Sequence, residues 1–131
     1  MVELNRCHNR QRGICHPTCK RFHVDDYSNA SYKVFVLLTR ISALGDGPYC
    51  YVPGSHKWSR ALLDANRALV ARLPPSFADH NDVFLVAGKP VVCMGEPGDV
   101  VISNQSGAHR GFPQSESGLR ALAVYHYTRV A

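Results

Sequence analysis

Residues 22–26 read Phe22-His23-Val24-Asp25-Asp26, so a histidine and a carboxylate stand two positions apart in a run that favours an extended strand. Successive side chains of a strand point to opposite faces, and His23 and Asp25 would therefore project from the same face. An imidazole and a carboxylate placed in this way can bind one cation together. Because two protein ligands seldom hold a catalytic ion, the run predicts half of a metal site.

His109 is the best candidate for the third ligand. It follows an apolar run at residues 98–103 that predicts a buried strand, and the polar residues 104–107 then lead to the histidine. At that position the chain could curve back toward His23. We therefore expect the metal-binding atoms of His23, Asp25 and His109 to lie within about 4 Å of one another, as ligand distances near 2.1 Å require.

The remaining pattern predicts a mainly β domain with one helix. Residues 32–39 are apolar on both faces and indicate a buried central strand, whereas residues 58–73 carry the one strong helical pattern, which Pro74 and Pro75 stop. Glycine and proline separate the short strands, as is typical of a sandwich or a small barrel. Further strands are expected at residues 20–25, 49–52, 83–86, 91–94, 100–103 and 120–128.

Size and composition fit one soluble domain. The chain has 131 residues, of which 45% are hydrophobic and 19% are charged, and this balance argues against disorder. No apolar run reaches the roughly 20 residues of a membrane span, and the N-terminus lacks the pattern of a secretory signal. We therefore expect a cytoplasmic protein with no membrane partner. Its five cysteines are then expected to be reduced thiols: Cys7, Cys15, Cys19, Cys50 and Cys93.

Residues 1–19 predict an irregular basic arm in front of a main domain at residues 20–131. The arm contains Cys7, Cys15 and Cys19, which could bind zinc together with neighbouring histidines, but their spacing lacks the paired C-x-x-C arrangement, and free thiols are the favoured interpretation. The net charge of +5 is not accompanied by interleaved aromatic and basic residues. Nucleic-acid binding therefore has little support.

The order of the motifs resembles the phytanoyl-CoA dioxygenase family over about residues 20–128. Proteins of that family are Fe(II)- and 2-oxoglutarate-dependent oxygenases. The resemblance therefore implies a double-stranded β-helix, a jelly-roll or cupin-like fold, with one inserted helix. The matching segments are His23-Val24-Asp25, residues 33–38, residues 47–56, Gly98-Asp99-Val100, His109-Arg110-Gly111 and Arg120.

The resemblance also implies roles for individual residues. His23, Asp25 and His109 would bind Fe(II), and Arg120 would hold the distal carboxylate of 2-oxoglutarate. His56, in the turn at residues 53–56, matches a family segment that we interpret as structural.

Two basic residues leave alternatives open. Lys33 would share a strand face with Phe35 and Leu37, so it is either an edge residue that reaches solvent or a cation aimed into a pocket, where it would contact the cofactor. Arg120 would share a face with apolar neighbours and therefore needs an anion, which is either 2-oxoglutarate or a structural partner such as Glu96 or Asp99.

The implied reaction is the hydroxylation of a C–H bond in a small organic substrate, with dioxygen as the oxidant. Members of the family usually carry more sequence before the H-x-D motif, so we expect the fold to lack part of its N-terminal side, and an exposed sheet edge would favour association with a second copy. Two alternatives stay open. One is a β-helix protein that binds metal and 2-oxoglutarate without turnover, and the other is a small zinc- or nucleic-acid-binding module that uses residues 1–19.

Overall fold

The structure of the chain is a computed structural model that describes residues 2–6, 21–74 and 81–129. Within these ranges the chain forms seven strands, one α-helix and a short 3-10 helix at Leu44–Asp46. In chain order the other elements are β1 (Val2–Arg6), β2 (Ser31–Leu37), β3 (Tyr49–Tyr51), α1 (Arg60–Val70), β4 (Val91–Cys93), β5 (Val100–Asn104), β6 (His109–Gly111) and β7 (Ala121–Thr128).

The strands form two antiparallel sheets. Sheet A has the order β1-β7-β2-β5 and sheet B has the order β4-β3-β6. Beside β6, His23 forms isolated bridges to His109 and to Asp82, so the stretch around His23 continues sheet B. The chain passes repeatedly from one sheet to the other, which is the winding of a double-stranded β-helix. The predicted mainly β, jelly-roll fold with one inserted helix is confirmed.

Apolar side chains fill the space between the two sheets. Phe35 lies opposite Val124 and Leu37 lies opposite Leu122 in the β2–β7 pairing, and all four belong to one buried cluster that also contains Tyr49. Because side chains alternate along a strand, Lys33 of β2 points toward the same interior as Phe35. The central position of β2 therefore aims a lysine between the sheets.

A second buried cluster lies behind the H-x-D motif. Val24 is fully buried there and packs with Val52, Val83 and Ala108. Since Val24 lies between His23 and Asp25, its burial on one face turns both polar side chains toward the other. The apolar residue of the motif therefore fixes the direction of its two polar neighbours.

The helix α1 is shorter than the sequence pattern predicted. It begins after Ser59, whose hydroxyl accepts a hydrogen bond from the Leu62 backbone N–H, and it ends at Val70, before the two prolines. Its most deeply buried residue is Asn66, not a leucine. No helix in the described part of the chain is long and apolar enough to cross a membrane.

Two expected strands are not regular strands in the structure. Within the described part of the first segment, residues 21–25, only His23 forms a bridge, because the backbone N–H groups of Val24 and Asp25 donate to two different segments, at Asn81 and Gln105. Residues 83–86 form no bridge, and the nearest bridge is at the preceding residue, Asp82. Each segment lacks the continuous partner that a ladder needs.

Two strands were not expected. β6 consists of His109, Arg110 and Gly111, which carry no apolar alternation, and it forms because β3 pairs along it. β1 lies inside the segment that we expected to be irregular at residues 1–19, and it pairs with the edge of β7 from Val2 to Arg6. The remainder of that arm, including Cys7, Cys15 and Cys19, lies outside the described residues, and the division at residue 19 stays a prediction.

Asn66 provides a test of how the helix is attached to the sheets. Its Nδ2 donates to the Asp82 carbonyl at 2.9 Å, and its Oδ1 accepts from the backbone N–H groups of Phe84 and Leu85 at 2.8 and 3.2 Å. Asn66→Ala would leave these buried groups without their partner, so we expect the free energy of unfolding to fall by about 2 to 4 kcal/mol in urea titrations. Asp64→Ala, on the exposed side of the same helix, should cost less than about 0.5 kcal/mol. Equal losses in the two variants would contradict this account of the attachment.

Candidate metal centre

The backbone brings the two histidines together. The His23 N–H donates to the His109 carbonyl, and the His109 N–H donates to the His23 carbonyl, both at 2.9 Å. The N–H of Asp25 donates to the Gln105 carbonyl, also at 2.9 Å. The side chains of His23 and His109 consequently stand side by side, with their ring centroids 4.5 Å apart.

The three side chains that the sequence predicted as ligands meet at one point. His109 Nε2 lies 3.5 Å from Asp25 Oδ1, and His23 Nε2 lies 4.0 Å from the same oxygen. One candidate ligand atom from each residue lies within 4.8 Å of the other two, which is slightly wider than the expected 4 Å. Among the described residues, this is the one group of three or more such side chains with metal-binding spacing.

Hydrogen bonds to the backbone fix the tautomers of both imidazoles. His23 Nδ1 lies 3.2 Å from the Arg21 carbonyl, and His109 Nδ1 lies 2.8 Å from the Gly107 carbonyl. A carbonyl oxygen can only accept, so in each ring Nδ1 carries the proton and donates it. In a neutral ring this leaves the lone pair on Nε2, directed toward Asp25. Such a second contact is typical of metal-binding histidines.

The ionisation states also suit a cation. Burial alone would raise the pKa of the Asp25 carboxyl, but its contacts with His109 and Lys33 outweigh burial and hold that pKa well below its usual range. Burial and the repulsion from His109 lower the pKa of His23. At neutral pH the site therefore offers a carboxylate and, in His23, an uncharged imidazole.

Lys33 lies inside the site and not at the sheet edge. Its Nζ is 2.6 Å from Asp25 Oδ2, and each of the two side chains is 26% exposed. The interpretation of Lys33 as a solvent-reaching edge residue does not fit this ion pair. A contact between Lys33 and 2-oxoglutarate stays a prediction.

The guanidinium of Arg120 lies beside Gly111, two residues along β6 from His109. Its Nη1 donates to the Gly47 carbonyl, and a Cβ atom placed on Gly111 would stand 3.2 Å from the same nitrogen. Gly111 and His109 are two residues apart in β6 and so share a face, which places the guanidinium and the His109 ring on the same side of sheet B. The two carboxylates that were considered as structural partners have other contacts: Glu96 forms an ion pair with Arg40, and Asp99 accepts from the Glu96 N–H.

Sequence reasoning missed a buried polar group beside the site. The Tyr49 hydroxyl and Ser103 Oγ are 2.9 Å apart, and Gln105 Nε2 donates to Ser103 Oγ at 2.7 Å. Gln105 is fully buried, and its Oε1 has no hydrogen-bond partner within the described ranges. The signal for this group was the appearance of serine and glutamine at the end of an otherwise apolar strand.

The segment that connects β5 to β6 is buried along its whole length. Gln105, Ser106, Gly107 and Ala108 are each buried, and the connection is held on several sides. The Trp58 indole N–H donates to the Ser106 carbonyl at 2.8 Å, and the Ala108 N–H donates to Ser55 Oγ at 2.7 Å. Ser55 belongs to the turn that includes His56, so this turn supports the backbone next to His109.

The cysteines in the described part of the chain are not members of the group formed by His23, Asp25 and His109. Cys50 and Cys93 are free thiols, and burial raises the pKa of both. They therefore stay protonated at neutral pH. Cys7, Cys15 and Cys19, for which free thiols were favoured and zinc binding was the alternative, lie outside the described residues.

Comparison with known proteins gives similarities to solved structures. No family model matches the chain, and no curated protein matches it either. Among solved structures, HygX from Streptomyces hygroscopicus with iron bound is 26% identical, with a TM-score of 0.51 over 77% of this chain and 38% of HygX. HygX with nickel and 2-oxoglutarate bound is also 26% identical, with a TM-score of 0.50 over 77% of this chain and 37% of HygX. The chain thus corresponds to less than half the length of the protein that it resembles.

The tautomers provide a test of the site's geometry. We expect long-range ¹H–¹⁵N NMR spectra to show Nδ1–H in the neutral form of each ring, His23 and His109, because each Nδ1 faces a carbonyl. His23→Gln and His109→Gln would assign the two ring systems. An Nε2–H tautomer in either ring would contradict the orientation described above.

Proposed function

We propose that this chain is an Fe(II)- and 2-oxoglutarate-dependent dioxygenase of the phytanoyl-CoA dioxygenase type, which hydroxylates a C–H bond in a small organic substrate. The observation that carries the proposal is the convergence of His23 Nε2, His109 Nε2 and Asp25 Oδ1 inside a double-stranded β-helix. The likeness to HygX structures that hold iron, or nickel and 2-oxoglutarate, supports the same cofactors here.

The chemistry of the three side chains fits Fe(II). Two imidazoles and one carboxylate on one face of a metal ion are typical of non-haem Fe(II) oxygenases, because they leave positions open for further ligands. The Nε2 atoms of both rings face an ionised carboxylate, and a cation among the three groups would stabilise this arrangement. In the proposed site His23, Asp25 and His109 are the metal ligands.

Arg120 is the proposed anchor for the far carboxylate of 2-oxoglutarate. The guanidinium lies beside Gly111, two residues along β6 from His109, and two residues of a strand span about 6.7 Å. A five-carbon dicarboxylate could bridge such a separation, with one end near the histidines and the other on the planar fork of the arginine. The absence of a side chain at Gly111 leaves room for the guanidinium.

The protein's own contribution is placement and shielding. The buried backbone pair between His23 and His109 orients both rings, and Val24 and Ala108 close the side of the site opposite to the ligand atoms. When bound, Fe(II) and 2-oxoglutarate would supply the oxidising chemistry, in which dioxygen is consumed and 2-oxoglutarate is converted to succinate and carbon dioxide. Exclusion of water by the surrounding apolar residues would limit side reactions.

The proposed partners are dioxygen and one small-molecule substrate, without nucleic acid or membrane. We also propose a cytoplasmic location, on the sequence arguments alone. Self-association is part of the proposal because large apolar side chains are exposed on sheet A, including Val100 at 53% and Ile102 at 69%.

Loss of one ligand tests the metal centre directly. We expect His109→Ala to weaken Fe(II) or Mn(II) binding by about two orders of magnitude in anaerobic titrations, because the substitution removes one of the three proposed metal ligands. His56→Ala is the matched control, since His56 lies in the supporting turn and outside the group of three. Unchanged affinity in His109→Ala would refute the site.

Turnover is tested separately from metal binding. The unmodified chain with Fe(II) should form succinate from 2-oxoglutarate, and binding of 2-oxoglutarate without formation of succinate would favour the non-catalytic alternative.

Arg120→Ala separates cofactor binding from metal binding. Hydrogen bonds to charged groups contribute roughly 1.5 to 3 kcal/mol, so we expect 2-oxoglutarate affinity to fall by about one to two orders of magnitude. Mn(II) affinity should change little, because Arg120 is not a proposed ligand. Arg40→Ala removes an exposed arginine and should alter neither value. If Arg120→Ala lost thermal stability but kept its affinity for 2-oxoglutarate, the arginine would be structural, through its contact with Gly47.

A further inference from the structure

The two oxygens of the Asp25 carboxylate have different neighbours. Oδ1 faces the histidine pair, at 3.5 Å from His109 Nε2 and 4.0 Å from His23 Nε2. Oδ2 faces the opposite way and lies 2.6 Å from Lys33 Nζ. One oxygen of the carboxylate therefore faces the proposed metal position, and the other contacts the Lys33 ammonium group.

The backbone holds this lysine firmly in place. Lys33 lies inside β2, where it is opposite Ser103 of β5 and opposite His126 of β7. A strand that is paired on both sides cannot shift without breaking two ladders. The Lys33 ammonium therefore extends from a fixed position in sheet A to the carboxylate of Asp25, next to sheet B. With both side chains only 26% exposed, the ion pair is partly shielded from solvent and its hydrogen bond is charge-assisted.

An aspartate can bind a metal ion through one oxygen or through both. The second mode would require Oδ2 to turn away from Lys33, and would separate an ion pair that is partly withdrawn from water. The lysine contact therefore opposes the two-oxygen mode. Each oxygen that the protein does not supply leaves one more position on the ion for an exogenous ligand.

We propose that Lys33 is a positioning residue, which holds Asp25 Oδ2 so that the carboxylate gives only Oδ1 to the metal ion. This inference rests on the proposed function, because it takes His23, Asp25 and His109 as the ligands. It is an alternative to the sequence-based prediction that Lys33 contacts 2-oxoglutarate directly. One-oxygen binding by Asp25 would leave more positions on a bound ion free for 2-oxoglutarate and dioxygen.

The test counts the water molecules that exchange on Mn(II) bound to the full chain without 2-oxoglutarate, by water-proton relaxation. With three protein ligand atoms, the unmodified chain should hold about three waters on a six-coordinate ion. In Lys33→Met the carboxylate is free to bind through both oxygens, so we expect about two waters and a relaxation enhancement lower by about one third. Lys33→Arg restores the charge and should return the count toward three, and Lys57→Met, an exposed lysine in a turn, should leave it unchanged.

The outcomes separate the inference from the function on which it rests. If Lys33→Met and the unmodified chain hold the same number of waters, the inference is wrong, and a simultaneous loss of 2-oxoglutarate affinity would then indicate direct contact with the cofactor. A count of about two in the unmodified chain would also overturn it, even if the methionine variant failed to fold. Absence of Mn(II) binding in the unmodified chain would refute the proposed function and the inference with it.

Discussion

The candidate site depends on one reciprocal pair of backbone hydrogen bonds, between His23 and His109. The two residues are far apart in sequence, and neither belongs to a long strand. The pair attaches the H-x-D stretch to the edge of β6, which β3 in turn holds in sheet B. Because the bonds are made by the backbone of the two histidines themselves, the fold cannot form this contact without bringing their side chains together. Folding and assembly of the site are therefore the same event.

The parts of the fold that the sequence predicted are those in which local pattern and tertiary contact agree. The apolar run of β2 is a central strand because both of its neighbours pair with it, and the alternation of His23 and Asp25 held because Val24 between them is buried. Where the structure departs from the sequence pattern, a strand forms because a strand distant in sequence pairs with it. β6 has no apolar residue to mark it, and β1 forms against an edge that β7 provides. A partner that is distant in sequence leaves no local signal.

The two basic residues near the site, Lys33 and Arg120, contact different partners, which the sequence did not identify. Lys33 lies in β2, whereas Arg120 comes just before β7, and one contacts a carboxylate while the other contacts a backbone carbonyl. Partly buried charges of this kind seldom add stability when compared with apolar residues of the same volume. The roles proposed for Lys33 and Arg120 in the candidate site would account for the presence of both charges. Strand alternation could place these residues, but it could not identify their partners.

The connection between β5 and β6 differs from most loops in a way that bears on how such a chain can change during evolution. Loops usually tolerate inserted and deleted residues because they lie in solvent. Here the four residues from Gln105 to Ala108 are buried, and their backbone groups accept or donate to Asp25, Trp58 and Ser55. One added residue would displace His109 from His23 and disrupt the register on both sides. Length variation should therefore concentrate in other connections, while this segment keeps a constant length even where its side chains diverge.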